Sequence, residues 1–221
     1  MPVRIETSRT QIWNSGTHGS GIQILPDFLS SRSQKPMASV RLFIAIDLPA
    51  AHRAALLALA APTRGLAWTP AEQLHLTLRF LGDIDKARVA DLTAALAHVR
   101  VEAFVLPLEG VGIFPPRGAG HVVWVGVGRG HPHLFQLRQQ IDDAVVALGL
   151  PVDVRTFHPH VTVARVQREA SPTATAQFLK QHREFVAPPF RAEAFALYAS
   201  ELRPTGAIHT LRQSFPLRGA R

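Results

Sequence analysis

No cysteine occurs in the 221 residues, and that single absence excludes disulfides, a thiolate nucleophile and cysteine-ligated zinc together. No run of about 18 or more apolar residues occurs either, so no transmembrane helix is expected. The first 35 residues are polar and rich in Gly and Ser, without the charged start, apolar block and small-residue cleavage site of a signal peptide; a cytoplasmic location fits best. A G-x-S-x-G nucleophile elbow is missing, which argues against a serine hydrolase, and so is a G-x-x-x-x-G-K-[ST] loop, which argues against an ATP-driven ligase. Acidic residues are scarce: 16 Asp and Glu face 24 Lys and Arg, for a net charge of +8. Residues 1–36 hold only +2 of that, leaving +6 on the remainder. The surplus belongs to the folded body and favours a polyanionic partner such as RNA, although many proteins share such a balance.

What is present begins with apolar content of 47% and a mean hydropathy of +0.09, ample for a packed core in one large domain or two small lobes. Residues 1–38 follow neither the helical nor the strand period and hold Asn14-Ser15-Gly16, His18-Gly19-Ser20-Gly21 and Ser30-Ser31-Arg32-Ser33. They are expected to be a disordered N-terminal extension. Met37 stands just before the first regular element, so an over-long start and a genuine tail both remain open.

Two stretches organise the rest: His75-Leu76-Thr77-Leu78 and His160-Val161-Thr162-Val163. Each reads histidine, aliphatic, threonine, aliphatic inside a run of period-2 alternation, the mark of a half-buried strand. Successive strand side chains point to opposite faces, so histidine and threonine share one face while the aliphatic pair anchors the other. Around the motifs the pattern predicts a central strand at Val40 to Asp47, a helix at Ala50 to Ala61 ended by Pro62, and a first motif strand closed by Gly82-Asp83. Asp83 or Asp85 then caps a helix carrying Val89, Leu92, Ala95, Leu96 and Val99. Two antiparallel strands follow, Phe104 to Phe114 and His121 to Val127, joined by the loop 115–120. A helix at Pro132 to Leu148 is capped by Gly149, Pro151 to Arg165 carries the second motif strand, and Ser171-Pro172 opens a helix to about His182. Phe185 to Phe215 reads as two or three strands.

Strand, helix, motif strand and helix therefore occur twice, with 85 residues between the histidines. That period is too long for a solenoid repeat and suits two α+β lobes facing a shared cleft.

Two histidines on opposite walls of a cleft suit in-line displacement at phosphorus. One deprotonates the nucleophile while the other protonates the leaving oxygen, and an ordinary pKa of about 6.5 lets histidine serve in either state near neutrality. The threonines supply neutral, oriented donors to the non-bridging oxygens, where charge concentrates in the transition state. Nothing in this arrangement requires a metal or a cofactor. Arg79 shares the strand parity of His75 and Thr77, so it is expected either to add positive charge there or to sit as a solvated strand-end arginine.

On these residues the chain resembles the 2H phosphoesterases, and among them the bacterial and archaeal RNA 2′,3′-cyclic phosphodiesterases, also called 2′-5′ RNA ligases. The resemblance covers about residues 39–217: RLFIAIDLP at the start, LHLTLRFLGD around the first motif, FHPHVTVAR around the second, and a closing strand region. It implies an α+β, bilobal fold of two pseudo-symmetric lobes, each of antiparallel sheet plus helices, with residues 218–221 as a short tail. It implies that His75 is the proton donor to the departing 3′ oxygen, that His160 is the proton acceptor activating water, and that Thr77 and Thr162 hold the phosphate. The implied product is an RNA end bearing a 2′-phosphate, from a partner RNA with a 2′,3′-cyclic phosphate, tRNA fragments being one source; the implied protein is a monomer independent of metal and ATP. Run backwards, the same groups would join a cyclic phosphate to a 5′-hydroxyl. Which histidine is acid and which is base follows from the family alone, the two motifs being symmetric. Where the family often has an arginine or lysine, this chain has His158.

Weaker candidates complete the reading. His158 and His160, at i and i+2, have a spacing that could bind a metal, but no third ligand is evident. Arg117 in the 115–120 loop is a candidate RNA phosphate contact. Phe80, Phe114, Trp68 and Trp124 could stack on a base, though core packing explains most such residues. His121 and His209 read as structural or surface residues. Two other readings stay open: an RNA-binding protein that uses the same basic cleft without turnover, and a related enzyme for a small cyclic nucleotide.

Overall fold

The computed structural model describes residues 38–60, 62–116, 121–204 and 206–220. The expected extension up to residue 37 and the candidate Arg117 lie outside the described residues.

β1 (Ser39–Asp47) buries five residues in succession, Leu42 to Ile46, so both of its faces are covered, as the apolar run predicts for a central strand. α1 (Ala50–Leu57) ends four residues short of the expected Ala61: Leu59 turns into the core, and Pro62 disfavours helical geometry just upstream of itself. β2 (Leu66–Trp68) and a 3₁₀ turn at Ala71–Gln73 lead into β3 (His75–Asp85). β3 runs past the expected stop at Gly82-Asp83, because Gly82, at φ 75°, sits at an irregularity inside the strand rather than at its end. Asp85 does cap the following turn, accepting from the Ala87 N–H at 2.9 Å.

α2 (Val89–Leu96), β4 (Phe104–Phe114), β5 (Val122–Gly126) and α3 (Pro132–Ala147) fall close to their predicted places. Next come β6 (His160–Val166) and α4 (Pro172–Gln181), the latter capped by Ser171 with Pro172 in its first turn. The C-terminal region forms β7 (Val186–Ala192), β8 (Ala194–Arg203) and β9 (Gly206–Pro216).

These strands make one sheet in the order β7-β4-β5-β6-β3-β1-β8-β9, with β2 also pairing β6, and the paired strands run antiparallel. The two motif strands meet in the middle through a single register pair, Leu76 with Val161. On one side lie β3, β1, β8 and β9; on the other lie β6, β5, β4 and β7. The halves do not follow the sequence duplication, since β7 completes the second half while β8 and β9 return to finish the first. Nothing in a local pattern announces such a crossing.

One face of the sheet is aliphatic. Leu76 and Leu78 of β3 and Val161 and Val163 of β6 join Leu92 and Leu96 of α2 and Leu134, Leu137, Ile141 and Val145 of α3 in a common core. Each such side chain contributes about 1.5–3 kcal/mol by leaving water. This burial fixes which face the intervening histidines and threonines must take. The expected C-terminal tail is tied down where it is described: Arg218 exchanges backbone hydrogen bonds with Val101 and Ala103, and Arg191 donates to the Gly219 carbonyl.

Candidate active site

The pairing of Leu76 with Val161 builds the site. In an antiparallel pair it sets Thr77 opposite His160 and His75 opposite Thr162. Each histidine looks across the seam at the other half's threonine, and the two histidines take the diagonal, where Cα atoms are roughly 7–8 Å apart. Thr77 and His160 line a common cleft of about 230 Å³, open to solvent, together with Phe80, Phe114, Arg155, Thr156 and His158, whereas His75 and Thr162 do not line it.

Both motif strands then bulge at the same place. Between β1 and β3 the register passes from Ala45 with Thr77 to Ile44 with Arg79, skipping Leu78. Between β5 and β6 it passes from Trp124 with Thr162 to Val123 with Ala164, skipping Val163. A bulge adds one residue to the count and so exchanges the faces beyond it. Leu78 and Arg79 are accordingly buried in succession, as are Val163 and Ala164, and the residues returned to the histidine face are Phe80 and Arg165.

Arg79 is therefore not where strict alternation puts it. It is 2% exposed, and its guanidinium donates to the Asp142 carboxylate and to the Pro151 carbonyl. Neither expected role, a phosphate-side charge or a solvated strand end, matches this burial. Arg138 of α3 donates to the carbonyl of the bulged Leu78, to Asp142 at 2.7 Å and to Asp153 at 3.2 Å. Together they clamp β3, α3 and the segment before β6 around the first bulge.

His75 stands in an aromatic wall. Its ring stacks on Phe43 at 4.9 Å, Phe43 stacks on Tyr198 at 5.3 Å, and His209 of β9 meets His75 edge-on at 5.3 Å and Phe43 at 4.8 Å. Tyr198 donates its hydroxyl to Asp47, the residue paired with His75 across β1 and β3; burial first, and then Asp47, push the phenol well above its ordinary range. Burial and, after it, the neighbouring His209 hold the His75 imidazolium pKa down to about 4, opposed by a hydrogen bond to the backbone of Gln73. The sequence alone makes His209 a structural or surface residue, and nothing local pairs it with a histidine 134 residues away.

His160 has a different setting. Its Nδ1 lies 2.6 Å from the carbonyl of His158, which fixes that nitrogen as the donor and leaves Nε2 free as an acceptor. Burial lowers its pKa, and the His158 carbonyl opposes the shift. Phe114 meets the ring edge-on at 5.0 Å, and Trp124 lies 6.3 Å away. Trp124 lies flat over Gly112, where any Cβ would fall 2.1 Å from the indole. His158 thus serves the site through its backbone, while its ring lines the cleft.

Of the candidate base-stacking residues, Phe80 faces the cleft, Phe114 and Trp124 pack beside His160, and Trp68 packs on Phe178 at 5.3 Å. Among the described residues no group of three His, Asp or Glu is placed to hold a metal ion, and no helix is long and apolar enough to cross a membrane.

An antiparallel sheet with helices on one face, and on the other two crossed His-Thr pairs facing each other over a seam, define a phosphoesterase of the two-histidine kind. Comparison makes this specific. Residues 46–124 and 126–209 match the family described as LigT like Phosphoesterase, and the chain belongs to that family. An RNA 2′,3′-cyclic phosphodiesterase of Thermus thermophilus is 35% identical over 190 residues, covering 81% of this chain and 91% of that one. Another, of Archaeoglobus fulgidus, is 30% identical over 173 residues, covering 77% and 96%. Among solved structures, a Thermus thermophilus protein aligns with a TM-score of 0.69 at 31% identity, over 82% of this chain and all of that one. E. coli LigT complexed with 3′-AMP aligns with a TM-score of 0.65 at 28% identity, over 82% and 99%.

Proposed function

We propose that this protein opens the 2′,3′-cyclic phosphate at the end of an RNA to a 2′-phosphate. The observation that carries the reading is the crossed square of His75, Thr77, His160 and Thr162 on two strands paired through Leu76 and Val161. Relatives that bear the name RNA 2′,3′-cyclic phosphodiesterase over nearly their full length support it, as do solved complexes of E. coli LigT with 3′-AMP and with phosphate.

The held tautomer suits His160 to the base role, since Nε2 accepts the proton of a water that attacks phosphorus. The P–O3′ bond breaks as the new P–O bond forms, and His75 gives its proton to the departing 3′ oxygen. Thr77 and Thr162 donate to the non-bridging oxygens, whose charge grows in the transition state. His75 is mostly neutral near pH 7 in the free protein, given a pKa of about 4. A phosphodiester anion in the square favours the imidazolium, so the acid is charged as substrate enters. With a 5′-hydroxyl in place of water as the nucleophile, the same groups would join the cyclic phosphate to that hydroxyl through a 2′-5′ linkage, P–O3′ again breaking and O3′ again taking a proton. The surplus of basic residues suits RNA as the substrate.

The test is incubation with a short RNA ending in a 2′,3′-cyclic phosphate, chelator present, with 2′- and 3′-phosphate products resolved. A 2′-phosphate product lost in His75→Ala and His160→Ala supports the reading. RNA binding without turnover would favour a binding protein, and turnover of mononucleotides alone would favour a small cyclic nucleotide as substrate.

A further inference from the structure

We infer that His209 is a positioning residue for the reaction, setting the ring of His75 from the side so that its proton meets the leaving oxygen; the inference rests on the function proposed above. The rings of His75, Phe43 and His209 form a triangle with sides of 4.9, 4.8 and 5.3 Å. Phe43 lies over one face of His75 at 28°, while His209 stands nearly upright beside both, at 69° to His75 and 65° to Phe43. Phe43 is backed in turn by Tyr198, whose hydroxyl is bound to Asp47 at 2.7 Å. A histidine at the edge of an open cleft has several staggered rotamers within reach, and one stacked on a face and abutted at the side keeps a single one. The buried Nδ1 of His209 has no hydrogen-bond partner among the described residues. The ring therefore serves there as an aromatic body, held by packing, rather than as a polar link.

The way His209 is brought to this place supports the assignment. β8 pairs β1 only from Ala196 to Ala199, whereas its pairing with β9 runs on from Ser200 with His209 to Arg203 with Gly206. The stretch that carries His209 is thus a two-stranded ribbon beyond the sheet, and such a ribbon is marginal by itself. Gln73 holds it. Its side-chain amide donates to the Ala207 carbonyl at 2.6 Å, and its backbone accepts a ring N–H of His75. One residue of the 3₁₀ turn before β3 therefore ties down both members of the pair. His160 is placed otherwise: the rings beside it, Phe114 and Trp124, come from β4 and β5, which lie inside the sheet.

The test compares wild type, His209→Ala, His209→Phe and Gln73→Met on two substrates: an RNA ending in a 2′,3′-cyclic phosphate, and a phosphodiester with a p-nitrophenolate leaving group. In His209→Ala we expect kcat on the RNA to fall about 10- to 100-fold, the effect of a misplaced catalytic group, with KM within about twofold. The p-nitrophenyl ester, which needs no acid, should lose less than about threefold. His209→Phe should restore most of the RNA rate, and Gln73→Met should show the same pattern with a smaller loss. A wild-type RNA rate in His209→Ala, an equal loss on both substrates, or no recovery in His209→Phe would overturn the inference. The ring-nitrogen NMR signals of His75, assigned by their loss in His75→Gln, need no turnover and separate the two readings. A single neutral tautomer in wild type that becomes a mixture in His209→Ala, without hydrolysis by wild type, would sink the catalytic reading and keep the placement. Hydrolysis with the same single tautomer in both proteins would do the reverse.

Discussion

The two halves of the sheet share a backbone plan and differ in what they place around it. Each gives a histidine, a threonine two residues on, and a bulge immediately after, and each holds its histidine by a hydrogen bond to the backbone two residues earlier. The settings diverge from there. His75 is stacked, crowded by a second histidine and held to a pKa of about 4. His160 has Gly126 across the ladder and an edge-on Phe114 as its closest ring. The symmetry of the strands sets the two histidines on one diagonal, and the asymmetry of their neighbours gives the two rings different surroundings, which under the proposed function suits them to different work.

That division is open to direct attack. The largest effect is expected from His75→Ala and His160→Ala, each lowering kcat by about a hundred- to ten-thousand-fold. A phosphodiester with a p-nitrophenolate leaving group should restore much of the rate to His75→Ala and little to His160→Ala, because a good leaving group needs no acid; the opposite pattern would exchange the roles. Thr77→Val and Thr162→Val should each cost about a hundredfold in kcat, measured at saturating RNA. The clamp on the first bulge comes next. Arg79→Ala leaves Asp142 short of one of its two partners in a buried setting and should cost about 3 kcal/mol in denaturant unfolding. Ala164, its counterpart after the second bulge, has no charge to lose, so Ala164→Ser should cost far less.

Smaller effects are expected in pH dependence. His209→Gln removes one of the influences that depress His75, so the pKa that His75 contributes to the kcat/KM profile should move up by a fraction of a pH unit. Stability carries the same sign. Folded His75 accepts its proton near pH 4 and the unfolded chain accepts it near 6.5, so falling pH across that window favours unfolding. The contribution is at most about 3 kcal/mol, and His75→Gln should flatten the loss seen by thermal unfolding between pH 6.5 and 4.

Both motifs, the elements that carry them and the class of chemistry are legible in the sequence because each is local. A strand alternates, a proline or serine opens a helix, and His-x-Thr names its own face. Alternation misplaces Arg79 because a bulge has no sequence mark here: Leu78 and Val163 are ordinary β formers, and the extra residue is visible only in the register. The same shift hides Phe80, which reads chiefly as core, and Arg165, which does not stand out at all. His209 and Tyr198 cannot be joined to His75 from the sequence, because β8 and β9 return across the chain to pair beside β1. The tied-down Arg218 is a non-local fact of the same kind.

This return of β8 and β9 also sets a schedule. During synthesis both His-x-Thr motifs are made before any residue of the segment from Ala194 to Pro216, yet the wall behind His75 needs Tyr198 and His209 from that segment. A chain stopped shortly after β6 would carry the whole signature and lack the finished surroundings of His75. Such a fragment leaves β1 with an unpaired edge in place of β8, the kind of surface on which incomplete proteins associate. The setting of the first histidine is thus completed only by β8 and β9, and possession of both motifs is not yet possession of the candidate site.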